Sequence, residues 1–191
     1  MILDRTHLSL LTEAAKSPTD LPDGVYIEVK LWRDTLSVEY RSKKRGKQAI
    51  QGSVVAELDG WPCSGAFVVA TSGATRGWGP LLYDVAMEYA SIKGGGLAPD
   101  REDITEDSYA IWNYYLKRRP DVKKVQLDNR ENYLTKKPGD NCAQGSAEEW
   151  GDDKDHPWHD KENPLSKAYI KKPAKVTAQL KKLGKIKDKG L

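Results

Sequence analysis

The chain has 191 residues, of which 38% are hydrophobic and 31% are charged, and its formal net charge is +3. A chain of this length is expected to form one domain with its own core, and no apolar run approaches the roughly 20 residues that a membrane-spanning helix requires. The N-terminus lacks the features of a secretory signal, and Cys63 and Cys142 show neither a disulfide framework nor a metal-ligand spacing, which favours the reducing cytoplasm.

Up to residue 58 the sequence predicts one helix and three strands. Apolar residues recur on one face of 5–16, which predicts an amphipathic helix. Apolar and polar residues then alternate over Val25–Trp32, as in a half-buried strand. Two further strands are predicted over 36–40 and 49–58, so this part of the chain is expected to form a meander.

The centre of the chain, residues 66–92, is predicted to form a strand, a glycine-rich turn and a helix. Residues 66–71 are β-branched or apolar, as in a buried strand. Three glycines follow within 72–79, and Pro80 suits the first turn of a helix. Apolar residues recur at helical spacing up to residue 92, after which a lysine and three glycines end the helix.

Beyond the centre, the sequence predicts a short strand within 96–101, a helix over 106–118 and a strand over 122–127. Thr105 is the expected N-cap of this helix, and Pro120 is expected to stop it. The chain is therefore predicted to be an α/β protein with a mixed central sheet flanked by helices.

The glycine-rich turn before Pro80 is a candidate anion site. Backbone N–H groups in such a turn, together with the N-terminus of the following helix, bind phosphates. The spacing excludes a P-loop, which needs Gly-Lys-Ser/Thr at the helix start, and it fails the dinucleotide pattern, whose third glycine falls on Leu82. An ordinary connection that uses glycine only for backbone geometry stays open.

Arg76-Gly77-Trp78-Gly79 resembles the R-G-x-G pattern of the GNAT superfamily, the CoA-dependent N-acetyltransferases. The predicted order of elements up to residue 129 is also similar to that fold. The resemblance implies that acetyl-CoA is the co-substrate and that an amine, which the sequence does not identify, accepts the acetyl group.

The resemblance also implies which residues bind the cofactor. Gly77, Trp78 and Gly79 would hold the pyrophosphate, and the backbone around Val69–Thr71 would hold the pantetheine. Arg76 of the same motif is also expected to bind the cofactor. Two neighbouring residues depart from the family pattern. Pro80 removes one backbone donor, and Leu81 stands where the family has glycine or alanine, so its side chain could crowd the pyrophosphate.

Two side chains are candidates for the chemistry of acetyl transfer. Ala110 and Tyr114 stand at the spacing of a family alanine and tyrosine, and the tyrosine would protonate the departing thiolate. The alternative is that Tyr114 is a packing aromatic. Glu57, at the end of the third strand, is a candidate general base acting through water.

The polar side chains outside this region predict neither a metal site nor nucleic-acid binding. His156 and His159 are near one another, but no cysteine accompanies them. Residues 148–162 hold seven acidic side chains and two lysines, and residues 166–191 hold nine lysines and one aspartate. Such blocks are usually solvated, and the lysines are not interleaved with arginines and aromatic residues as in nucleic-acid sites.

Residues 130–191 are expected to form an extended polar tail with one short helix near 176–184, outside a GNAT-like domain of residues 1–129. Its few apolar side chains are expected to hold it against a folded surface, of this chain or of a partner. Several segments, among them PLSKAY, also resemble GNAT-like proteins of tailed bacteriophages. That resemblance implies an alternative function as a virion or assembly component, with other copies or phage proteins as partners.

Overall fold

The computed structural model describes residues 15–43, 50–58, 64–101, 104–129, 134–142 and 162–189. In these residues the protein is a mixed α/β structure with an eight-stranded mixed sheet, a two-stranded sheet and three helices. The strands are β1 (Val25–Trp32), β2 (Thr35–Ser42), β3 (Gly52–Leu58), β4 (Phe67–Ala74), β5 (Leu97–Ala98), β6 (Lys123–Gln126), β7 (Asp128–Asn129), β8 (Asn141–Cys142), β9 (Lys167–Ile170) and β10 (Ile186–Lys189). The helices are α1 (Gly79–Lys93), α2 (Glu106–Arg118) and α3 (Lys175–Lys182). The helix predicted over 5–16 falls almost entirely outside the described residues.

Strands β1 to β3 form the predicted meander, and β4 extends it as a fourth antiparallel strand. Their burial alternates: Ile27 and Val29 of β1 and Val38 of β2 are fully buried, and they face the helices. This alternation places one face of the sheet on the main core. The opposite face of the meander carries mainly polar side chains.

At the centre of the sheet β4 and β5 pair in parallel and are joined by α1. The strand, turn and helix predicted over 66–92 are present. β4 lies in the interior, between β3 and β5. α1 is buried on most of its surface, and it packs on the sheet together with α2 in one core. Within the described residues, no helix combines the length and the apolar character needed to cross a membrane.

The C-terminal segment contributes two strands to the main sheet. β9 lies between β5 and β6 and is antiparallel to both, while β10 pairs in parallel with β1 at the edge. The sequence predicts that the sheet ends near residue 127 and that residues 130–191 lie outside the core. The expected boundary at residue 129 therefore does not coincide with a break in the sheet. The expected short helix is present as α3.

The segment around α3 is held to α1 by a buried carboxylate. Glu88 of α1 is fully buried and accepts a hydrogen bond from Lys171 Nζ at 2.6 Å. It also accepts from the backbone N–H groups of Val176 and Thr177, at 3.0 and 2.7 Å. The N-cap of α3, Ala174, has no side-chain acceptor of its own. Glu88 therefore caps α3 from a different helix.

Candidate functional site

β4 and β5 separate soon after they pair, so the later part of β4 has no described strand on this side. They share two residue pairs, Phe67 with Leu97 and Val68 with Ala98. β4 nevertheless continues to Ala74, paired along that whole length with β3 on its other side. From Val69 onward, no described strand pairs with the edge of β4 that faces away from β3.

One extra residue in β4 marks the point of separation. Val55 and Ala56 are neighbours in β3, yet their partners in β4 are Thr71 and Val69. Ala70 is therefore left over, as in a β-bulge. Bulges bend the strand and increase its twist, which is consistent with β4 turning away from β5 at this position.

The cleft has a volume of about 700 Å³. One wall is formed by the end of β4 and the following turn, residues 72–77, together with the start of β3. The start of α1, from Gly79 to Tyr83, and the first turns of α2 also line it. Two helix N-termini therefore border the same cleft.

The turn between β4 and α1 is tightly held by hydrogen bonds. The Trp78 N–H donates to the Thr75 carbonyl at 2.9 Å, and the Lys16 N–H donates to the Gly77 carbonyl at 3.0 Å. Gly77 has φ +83°, a left-handed conformation that favours glycine. The buried Tyr40 hydroxyl donates to the Trp78 carbonyl at 2.8 Å, and burial raises the pKa of Tyr40 so that it stays a donor.

Two N–H groups of the first turn of α1 have no carbonyl partner within the helix, those of Gly79 and Leu81. Pro80 lines the cleft and has no N–H, so one backbone donor is missing there, as expected. The Leu81 side chain is 2% exposed and belongs to the core. It therefore does not crowd the cleft, as its place in the family pattern had suggested it could.

The structure brings three of the predicted cofactor residues to the cleft surface, namely Arg76, Gly77 and Gly79. Trp78 lies beneath the turn, where its ring packs edge-on against Tyr40 at 5.7 Å between centroids. Val69, which is buried, and Thr71, which is exposed, lie on β4 ahead of the segment that lines the cleft.

Other lining residues carried no functional signal in the sequence. Tyr83 donates to Ser72 Oγ at 2.9 Å, and burial raises the pKa of its phenol, which keeps it protonated. On α2, Thr105 Oγ1 accepts from the Ser108 N–H at 3.2 Å, so the predicted N-cap is confirmed. Asp107 lies beside it on the cleft surface. The sequence pattern indicates only helix or turn positions for these residues, and their shared cavity forms because the end of β4, the following turn and the first turns of α1 and α2 meet in space.

The two candidates for the chemistry do not line the cleft. Tyr114 is half-buried; its ring packs against Tyr115 with centroids 5.4 Å apart, and the Arg119 guanidinium lies 5.9 Å from it. Glu57 is exposed on β3 opposite Val68, at the far end of the strand from the residues that line the cleft. The described residues contain no group of three or more His, Cys, Asp or Glu side chains that could hold a metal ion; His156 and His159 lie outside them.

The contacts of Tyr114 are those of a packing aromatic, and we expect Tyr114→Phe to keep both stability and any acetyl-transfer rate, because the ring and its neighbours are unchanged. Thermal unfolding and turnover of the purified variant measure the two quantities. A fall in turnover of about 10²–10⁴-fold with unchanged stability would instead assign Tyr114 the role of proton donor.

In comparisons with known proteins, no family model matches the chain, and neither a curated protein nor a solved structure matches it.

Proposed function

We propose that the chain binds acetyl-CoA in the cleft beside β4 and transfers its acetyl group to an amine, as the resemblance to the GNAT superfamily implies. The observation that carries the proposal is that one cleft joins the Arg76–Gly79 turn to the last residues of β4, whose outer edge pairs with no described strand. It provides an anion-binding turn and an unpaired strand edge within one cleft. A simple strand-turn-helix connection would need only the turn.

The turn suits a pyrophosphate. The N–H groups of Gly79 and Leu81 stand at the N-terminus of α1, where the helix dipole favours negative charge. Arg76 is exposed on the same surface and adds a cation with several donors. Gly77, with its left-handed φ, lets the backbone approach a ligand closely.

The edge of β4 suits an extended chain that carries amide groups, such as pantetheine. From Val69 to Ala74 it is about 20 Å long at the usual rise of roughly 3.3 Å per residue. Unpaired backbone groups on a strand edge bind a ligand as another strand would. The thioester would then lie toward the bulge at Ala70, away from the turn.

With the thioester fixed there, the amine nitrogen attacks its carbonyl carbon, the C–S bond breaks, and the thiolate takes up the proton that the amine loses. Positioning alone can supply roughly 7–11 kcal/mol of rate acceleration in favourable cases. A cleft that orients both reactants therefore accelerates the reaction even where a dedicated base is not in place.

A structural role without catalysis, as in a phage virion or assembly component, is the second candidate. The observation that favours it is the position of Tyr114 and Glu57 outside the lining of the cleft. In that case the fold would be kept, and the cleft would bind CoA weakly or not at all.

Calorimetric titration with CoA and acetyl-CoA tests the proposal. We expect one site per chain with micromolar affinity, and we expect acetylated product when a panel of amines is added with acetyl-CoA. Pantetheine, which lacks the pyrophosphate, serves as the matched ligand and should bind much more weakly. If neither CoA nor acetyl-CoA releases heat or raises the melting temperature, the structural role is supported instead.

A further inference from the structure

Tyr40 contacts the turn of the candidate site from two strands away. It lies on β2, separated from β4 by β3, and is 3% exposed. Its hydroxyl donates to the Trp78 carbonyl at 2.8 Å, and the two rings pack edge to face. In the sequence Tyr40 is one apolar position in an alternating strand, and nothing there connects it with the turn.

The carbonyl that Tyr40 binds belongs to the N-cap of α1. An N-cap carbonyl also accepts the first hydrogen bond within its helix. Two donors, one from the core and one from the helix, therefore fix the oxygen of the Trp78–Gly79 peptide. Because a peptide is planar and trans, its N–H points opposite to its C=O. With the Trp78 carbonyl directed into the core, the Gly79 N–H is directed away from it, where Gly79 lines the cleft.

We propose that Tyr40 is a positioning residue for anion binding: its hydroxyl holds the Trp78–Gly79 peptide so that the Gly79 N–H faces the pyrophosphate of the ligand. This inference rests on the proposed function and assigns a part of it that lies outside the cleft. Tyr40 itself does not touch the ligand and acts only through the peptide plane.

Removing the hydroxyl releases one of the two bonds on the Trp78 carbonyl, and the peptide can then rock about its flanking bonds. A donor that must be reoriented on binding contributes less than a donor already in place. We expect Tyr40→Phe to weaken CoA binding fivefold to tenfold, which corresponds to one neutral hydrogen bond. The ring, and with it the contact with Trp78, is kept.

Tyr169→Phe is the matched control. Tyr169 is also fully buried, and its hydroxyl also donates to a backbone carbonyl, that of Pro164 at 2.7 Å. Both variants lose one buried hydroxyl, so both are expected to lose similar thermal stability. Only Tyr40→Phe is expected to lose affinity for CoA, since a purely structural tyrosine would affect stability alone.

A second measurement applies inorganic pyrophosphate to ¹⁵N-labelled protein. We expect the Gly79 amide resonance to shift on titration in the wild type and to shift less, with a higher apparent Kd, in Tyr40→Phe. Equal CoA affinity in wild type and Tyr40→Phe, or a Gly79 amide that does not respond to pyrophosphate, would overturn the positioning role while leaving CoA binding in place. If the wild type binds neither CoA nor pyrophosphate, the proposed function fails, and the inference fails with it.

Discussion

Replacing Glu88 by alanine is expected to lower the free energy of unfolding by about 3–5 kcal/mol, the usual cost of leaving a buried charge without its partner. Among the described residues, Glu88 is the nearest anion to the buried Lys171 ammonium, at 2.6 Å, and the next, Asp84, lies 3.9 Å away. The substitution also leaves two backbone N–H groups at the start of α3 without a hydrogen-bond acceptor. A loss of this size is a large share of the roughly 5–15 kcal/mol that stabilises a domain. Urea unfolding followed by circular dichroism measures it.

Two variants control this experiment. Glu57→Ala removes an exposed glutamate from β3 and should change stability by no more than about 0.5 kcal/mol. The double variant Glu88→Ala with Lys171→Met removes both charges and should recover part of the loss, because no unpaired charge then remains buried. A loss below about 1 kcal/mol in Glu88→Ala would contradict the capping and ion-pair role.

Gly79→Asp is expected to weaken CoA binding about 100-fold or more. The new carboxylate would stand where the pyrophosphate binds, and two like charges placed together cost several kcal/mol. A 100-fold loss of affinity corresponds to about 2.7 kcal/mol, so a loss of this size is expected. The fold should persist. A Cβ at this position would meet Ala74 Cβ and Ile111 Cδ1, both at the ordinary distance of 3.9 Å, and an aspartate in the first turn stabilises a helix. Calorimetry gives the affinity, and thermal unfolding confirms the fold.

Gly79→Asn separates charge from size, because asparagine has the shape of aspartate without its charge. We expect it to lose far less affinity than Gly79→Asp, and Gly79→Ala to lose least. If Gly79→Asp binds CoA within twofold of the wild type, the anion site lies elsewhere and the turn serves only to connect β4 with α1.

The sequence predicted the elements whose patterns are long and local. A local pattern is contained within a single segment, as are the alternation in Val25–Trp32 and the apolar faces and end signals of α1 and α2. The structure has these elements nearly as predicted. β9 and β10 have four residues each, with one lysine in β9 and two in β10. A strand that short has too few positions for alternation to stand out, and its burial depends on partners distant in sequence.

The candidate site was predictable only in part, for the same reason. Arg76, Gly77 and Gly79 form a local motif, and the structure places all three on one cleft. The positions of Tyr40 and Tyr83 at the site depend on which strands and helices come together in space, and no local sequence pattern indicates that. The Leu81 side chain, suspected of crowding the pyrophosphate, turns into the core because the phase of α1 directs it there.

Because β9 lies between β5 and β6, this part of the sheet cannot be completed until late in the synthesis of the chain. The two outer strands of this trio are complete by residue 126, but the strand that joins them ends at residue 170. Since synthesis adds roughly 5–20 residues per second, the gap stays open for about 2–9 s on the ribosome. During that interval β5 and β6 each present an unpaired edge that invites association with other nascent chains. We therefore expect expression at lower temperature, or with a chaperone that shields strand edges, to raise the yield of native protein more than stabilising the N-terminal meander does.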